Sequence, residues 1–275
     1  MSTAIKHFLI FTLINLIIMP GALAQWKLVW SDEFDKDGAP DPAVWQPEIG
    51  FVRNHEEQWY QGENAYCKNG YLIIEAKKER VKNPKYIANS QNWKENKEFA
   101  AFTSASIITR NKQSFQYGRF EMKAKIDTRM GIWPAFWTLG NEGEWPDNGE
   151  IDIMEYYRGM LLANIAWGSG TRYKPVWNTV KIPFKDLNDP EWSEKFHVWR
   201  MDWDEKSIRL YLDDKLINSQ DIDQTTKAGS AIQPFRQPHY ILLGMALGGD
   251  NGGDLSKTTF PAKYEIDYVR VYQKE

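Results

Sequence analysis

Three acidic side chains stand close together in Asn148-Gly149-Glu150-Ile151-Asp152-Ile153-Met154-Glu155-Tyr156-Tyr157. Read as a strand, Glu150 and Asp152 share one face and Ile151 and Ile153 the other. Glu155 is out of phase by one residue. A β-bulge at Ile153-Met154 would return it to the acidic face. A purely structural sheet gains little from such a cluster, because like charges repel and desolvated carboxylates are costly. Two carboxyl groups flanking a scissile bond are the machinery of glycoside cleavage, one attacking or activating water and the other holding a proton. Crowding by like charge raises a carboxyl pKa and so keeps that proton available near neutrality. A solvated acidic edge strand and a divalent-metal site of oxygen ligands are the competing readings of these residues alone.

The neighbouring residues favour a groove. Gly131-Ile132-Trp133-Pro134-Ala135-Phe136-Trp137 and Trp145-Pro146 precede the acids, and Trp167 lies on the next expected strand. Any one tryptophan in a strand is ordinarily core. Trp133, Trp137, Trp145 and Trp167 crowded around three acids are instead candidate platforms for the apolar faces of sugar rings.

The elements that must position them read as strands. Trp26–Trp30, Tyr71–Ala76, Ser104–Thr109, Arg119–Ile126, Ile151–Tyr157, Ile208–Leu212, Ile241–Leu247 and Tyr268–Tyr272 are β-branched, aromatic or alternating, with Gly, Asn, Asp and Pro between them. Helix signals are few; Asp189-Pro190 suits the start of one short helical turn. Short strands at this spacing predict an all-β sandwich or barrel. The Lys-, Asn- and Glu-rich stretch 77–98 is expected to be a long exposed insertion.

The chain has 275 residues with 34 Lys plus Arg against 37 Asp plus Glu, a balance that argues against a nucleic-acid partner. Its 42% hydrophobic content suffices for a core. The single cysteine, Cys67, excludes an internal disulfide. Residues 1–24 read as an export signal: Lys6, an apolar run from Phe8, then Ala22-Leu23-Ala24 before the cut. That run is too short for a membrane span. Residues 25–275 are expected to form a single domain outside the cytoplasm.

Together these segments resemble glycoside hydrolase family 16, in its laminarinase-like branch. Leu28–Asp35, Tyr117–Glu121, Gly131–Gly140 and Asp267–Tyr272 are similar to its framework strands, and Glu150-Ile151-Asp152-Ile153-Met154-Glu155 to its ExDxxE signature. The resemblance implies a concanavalin A-like jelly-roll β-sandwich, with two packed antiparallel sheets and a concave cleft. It implies a retaining endo-β-glycosidase, with Glu150 the nucleophile, Glu155 the acid and then base, and Asp152 tuning Glu150. Trp133 and Trp137 fall where the family stacks sugars. The implied partner is a polysaccharide or oligosaccharide, cut by a monomer without a cofactor. For some members the resemblance adds a structural Ca²⁺, here at Glu33, the Gly70 carbonyl and Asp267. The expected substrate is a laminarin-type β-glucan, with an endo-β-galactosidase acting on β-galactan or host O-glycans as the alternative. A non-catalytic carbohydrate-binding jelly roll is the rival from another class. The chain departs from the branch at Gly244, where many members read Asn, and in Asn164–Gly168, where Trp167 is read in place of a His. A Trp-for-His exchange there would alter the wall beside the acids.

Overall fold

The computed structural model describes residues 25–225 and 232–275; the proposed export signal lies outside the described residues. Alternation decides the architecture. In Gly118–Lys125 every second residue is buried, because period-two side chains face the core in turn. The same pattern recurs in Tyr71–Ala76. His239–Leu247 is buried throughout, since it crosses the middle of its sheet, with one side on the core and Gly244 and Ala246 at the bottom of a cavity on the other.

Two large antiparallel sheets result. The back sheet runs Lys215–Asp221, Ser207–Leu212, His197–Trp203, Gly118–Lys125, Ala262–Lys274, Tyr71–Ala76 and Ala65–Lys68, with Trp26–Asp32 also paired to Ala262–Lys274. The cleft sheet runs Pro175–Pro183, Met160–Gly168, Glu150–Tyr157, Ile132–Gly140, His239–Leu247, Ser106–Ile108 and Gln46–Pro47. Their facing sides share one core, in which Phe136, Ile151, Ile165 and Leu243 meet Phe120, Met122, Met201 and Val271. The fold is the jelly-roll β-sandwich expected from the sequence.

The stretch 77–98 is more ordered than an exposed insertion. Val81–Lys82 pairs with Phe99–Ala100, and buried Asn83 donates to the carbonyls of Lys94 and Lys97. Val81 and Trp93 cover a small cluster of Phe51, Trp59 and Ala100. Two apolar residues among many polar ones suffice to dock it. The short helical turn forms at Trp192–Glu194, with Asp189 accepting the Glu191 N–H.

Candidate active site

The acidic strand carries one extra residue. Asp152 pairs with Asn164 but Glu155 pairs with Leu162, so the register slips by one between them. On the other side Asp152 faces Trp137 and Glu155 faces Ala135. This bulge turns Ile153 and Met154 into the core and Glu155 onto the face of Glu150 and Asp152. All three acids line a cavity of about 740 Å³ on the outer face of the cleft sheet. Gly149 precedes Glu150 at φ 79°, and a Cβ there would stand 2.8 Å from the Pro234 side chain. Only glycine brings the chain into the strand at this approach.

Each carboxyl has defined partners. The Trp133 indole N–H donates to Glu155 Oε1 at 2.8 Å. Asn164 Nδ2 donates to Glu155 Oε2 at 2.7 Å and to Asp152 Oδ2 at 2.9 Å, and so clamps the two acids together. The Trp145 indole N–H donates to Glu150 Oε2. The loop bearing Trp145 is latched from across the cleft end, where Glu144 accepts from Arg172 and Tyr173.

Burial raises the pKa of all three acids, and the charge of neighbouring acids adds to it for Asp152 and Glu155. Asp152 is raised well above its ordinary value, first by burial and then by the charges of Glu150 and Glu155. Glu150 is raised by burial but opposed by hydrogen bonds from Trp145 and Asp152 and by the charge of Arg53. Of the two neighbours, Asp152 is thus the one more strongly disfavoured as an anion. Burial and Glu150 lift Glu155 to about 7, against the N–H donors Trp133 and Asn164. Near neutral pH Glu155 can therefore both give and take a proton, on the same face as Glu150.

Of the candidate sugar contacts, the cavity wall includes Trp133, Trp137 and Trp145. Trp167 does not belong there. Side chains alternate along Met160–Gly168, so Asn164 and Ala166 face the cleft while Trp167 packs against the core. The cleft position in that stretch is Ala166, opposite Glu150 on one strand and Trp177 on the other. That small residue is fully buried, and the cavity wall beside the acids is formed by Asn164 and Trp177. Sequence reasoning missed Asn164, Trp177 and Arg53, all of which line the cavity. Strand phase on Met160–Gly168, counted from Asn164, was the available signal for the first.

The residues read as a calcium site do not fit that ion. Both Glu33 oxygens accept from the Arg270 guanidinium, at 2.9 and 2.8 Å, and Asp267 pairs with Lys123 at 2.7 Å. Gly70 sits in the turn ahead of Tyr71–Ala76. Each carboxylate is already matched by a cation, which a divalent ion would have to displace. Among the described residues no group of three or more His, Cys, Asp or Glu side chains is arranged to hold a metal.

Three buried acids on one face of an indole-walled cavity include the two carboxyl groups that glycoside hydrolysis needs. Residues 53–270 match the profile of glycosyl hydrolases family 16. The chain is 36% identical over 265 residues to a beta-glucanase of Rhodothermus marinus, covering 90% of this chain and 86% of that one. A structure reported with endo-acting O-glycanases of the human gut microbiota that initiate mucin breakdown superposes with a TM-score of 0.83. It has 36% identity and covers 94% of this chain and 93% of that one. The laminarinase catalytic domain of Thermotoga maritima superposes with a TM-score of 0.76 at 34% identity, covering 91% and 99%. The chain belongs to glycosyl hydrolases family 16 and is a glycoside hydrolase. Catalysis in this family requires no cofactor.

Proposed function

We propose that the chain is an exported, monomeric, retaining endo-β-glycosidase acting on a laminarin-type β-1,3-glucan. Glu150 attacks the anomeric carbon while Glu155 gives its proton to the departing oxygen. Glu155 then takes a proton from the water that releases the glycosyl-enzyme. Asp152 keeps Glu150 anionic until attack by holding the shared proton. The observation that carries this reading is the bulge that brings Glu155 onto the face of Glu150 and Asp152, where Asn164 bridges Glu155 and Asp152. No described helix is long and apolar enough to cross a membrane.

A second reading, an endo-β-galactosidase on galactose-containing O-glycans, is favoured by the likeness to the O-glycanase structure. The deciding experiment is a panel of laminarin, mixed-linkage glucan, agar-type galactan and mucin O-glycans, read by product mass and by the anomer first released. Internal cleavage with retained configuration is expected, with Glu150→Ala slower by roughly 10⁴-fold or more. A fully active Glu150→Ala protein, or one that binds glycans but never releases reducing ends, overturns the assignment.

A further inference from the structure

Four indoles line the cavity, and three of them are already committed. Trp133 donates to Glu155, Trp145 donates to Glu150, and the Arg53 guanidinium lies over the Trp137 ring, 5.2 Å from its centroid. Trp177 is different. It is 44% exposed, and among the described residues its N–H has no acceptor and its face no ring or cation against it. Its strand, Pro175–Pro183, is an edge of the cleft sheet. Edges are ordinarily blunted by proline and charge, which Pro175, Lys181 and Pro183 supply. A large exposed ring works against that blunting, so protection of the edge does not account for Trp177.

Phase turns the indole to the cleft. Asn178 donates to the Ser219 carbonyl at 3.0 Å and to Gln220 Oε1 at 2.8 Å in the back sheet, so Trp177, Thr179 and Lys181 face the other way, and all three line the cavity. Register sets them beside the acids. Trp177 pairs through Ala166 to Glu150, Thr179 through Asn164 to Asp152, and Lys181 through Leu162 to Glu155. Two acids that flank one bond from a single strand require the glycan to pass between them, across the strands. A glycan leaving the acids over Asn164 therefore meets the edge strand two strand spacings, about 10 Å, away. Thr179 lies in its path there, with Trp177 on one side and Lys181 on the other. The hairpin leading into the strand is anchored, because Arg172 and Tyr173 both donate to Glu144. The charges of the cavity are largely answered within it: Arg53 is paired with Glu48, and Lys181 acts on Glu155, whose pKa it lowers. The surface left unengaged at the edge is the aromatic face, and what fits it on a sugar is the C–H face of a pyranose ring.

Building on the glycosidase reading, we propose that Trp177 is the platform of an outer subsite, stacking on a neutral sugar ring one or two units from the scissile bond and so selecting where along the chain the cut falls. The rings of β-glucose and of a β-N-acetylhexosamine both present such a face.

The test compares wild type, Trp177→Ala, Trp177→Thr and Trp177→Phe on laminarihexaose and on a poly-N-acetyllactosamine hexasaccharide, each labelled at the reducing end. Lys181 is kept in all of them because it also acts on Glu155. The glycan that wild type cuts identifies the ring that stacks. On it, Trp177→Ala is expected to lower kcat/KM by about 10- to 100-fold, chiefly through KM. The ratio of labelled products shifts too, because the outer subsite no longer fixes the register of the chain. A strand that served folding alone would leave that ratio in place. Trp177→Phe keeps a ring face and is expected to recover most of the affinity and the wild-type ratio. Trp177→Thr keeps the strand propensity without a ring, and carries the test should Trp177→Ala fail to fold. An unchanged KM and product ratio in the folded ringless variants, or a Trp177→Phe no better than they are, overturns the proposal while leaving the glycosidase reading intact. Wild type that cuts neither hexasaccharide nor any glycan of the panel sinks both.

Discussion

Replacing Trp133 by Phe removes one N–H and little else from the acid. The indole is 6% exposed, and a phenyl ring keeps most of the burial around Glu155. The lost group is the 2.8 Å donor to Glu155 Oε1. A hydrogen bond to a charged acceptor contributes about 1.5–3 kcal/mol, and a tenfold change in proton affinity corresponds to about 1.4 kcal/mol. Water entering the vacated edge recovers part of this, so the net change in proton affinity is about tenfold. Its sign is upward: the donor stabilises the carboxylate, and removing it favours the protonated form. Glu155 must be protonated for the first chemical step, so the basic limb of kcat/KM moves from about pH 7 to about pH 8. The assay is the pH profile of kcat/KM on the best substrate of the panel, with a thermal melt as a control on folding. Any uniform loss of rate from a disturbed sugar contact lowers the curve without moving the limb. A limb that stays in place or moves to lower pH refutes both the role of Glu155 and the part of the indole in tuning it.

Other substitutions read the same site differently. Asn164→Leu withdraws the donor shared by Glu155 and Asp152, so its basic limb should also rise, with kcat lower by roughly 100-fold in steady-state kinetics. Glu155→Gln should melt several degrees above wild type at pH 8, by calorimetry. Its folded pKa is raised above the unfolded 4.5, so ionisation costs stability fully above about pH 7 and not at all below about pH 4.5; the gain should vanish at pH 4. Trp167→Ala should lower Tm by about 5 °C through lost packing while KM stays unchanged, because the indole faces the core. Ala166→His should change the ratio of glucan to galactan turnover on the substrate panel, because a ring at this fully buried position opposite Glu150 must displace its neighbours in the cavity wall.

Much of this was legible where one physical signal dominated. The period of Arg119–Ile126 fixes both a strand and its buried face, and the ExDxxE spacing requires a bulge if its acids are to meet. Strands such as Pro175–Pro183 and Lys215–Asp221 escaped notice because they lie at sheet edges, where few side chains need burial and the pattern is correspondingly polar. Trp167 was misplaced because residue type was weighed above phase: counting alternation from Asn164 turns it inward. Arg53 was invisible for a different reason. Its neighbours Glu48, Ser106 and Trp137 meet it only once the chain is folded, the last two through sheet pairing far off in sequence. The calcium trio failed because a framework position does not say which partner holds it; here Arg270 and Lys123 do.

The surplus residue at Ile153-Met154 ties competence to foldability. Shorten the ribbon there by one and Glu155 would face Phe136 and Ile165 between the sheets instead of the open trough. An unmatched carboxyl in hydrocarbon costs several kcal/mol, a large share of the margin by which a domain of this kind holds together. A chain that lost its chemistry by this route would also struggle to fold, and quality control would remove it before any glycan was met. Assembly of the sandwich thus acts as an inspector of the catalytic spacing.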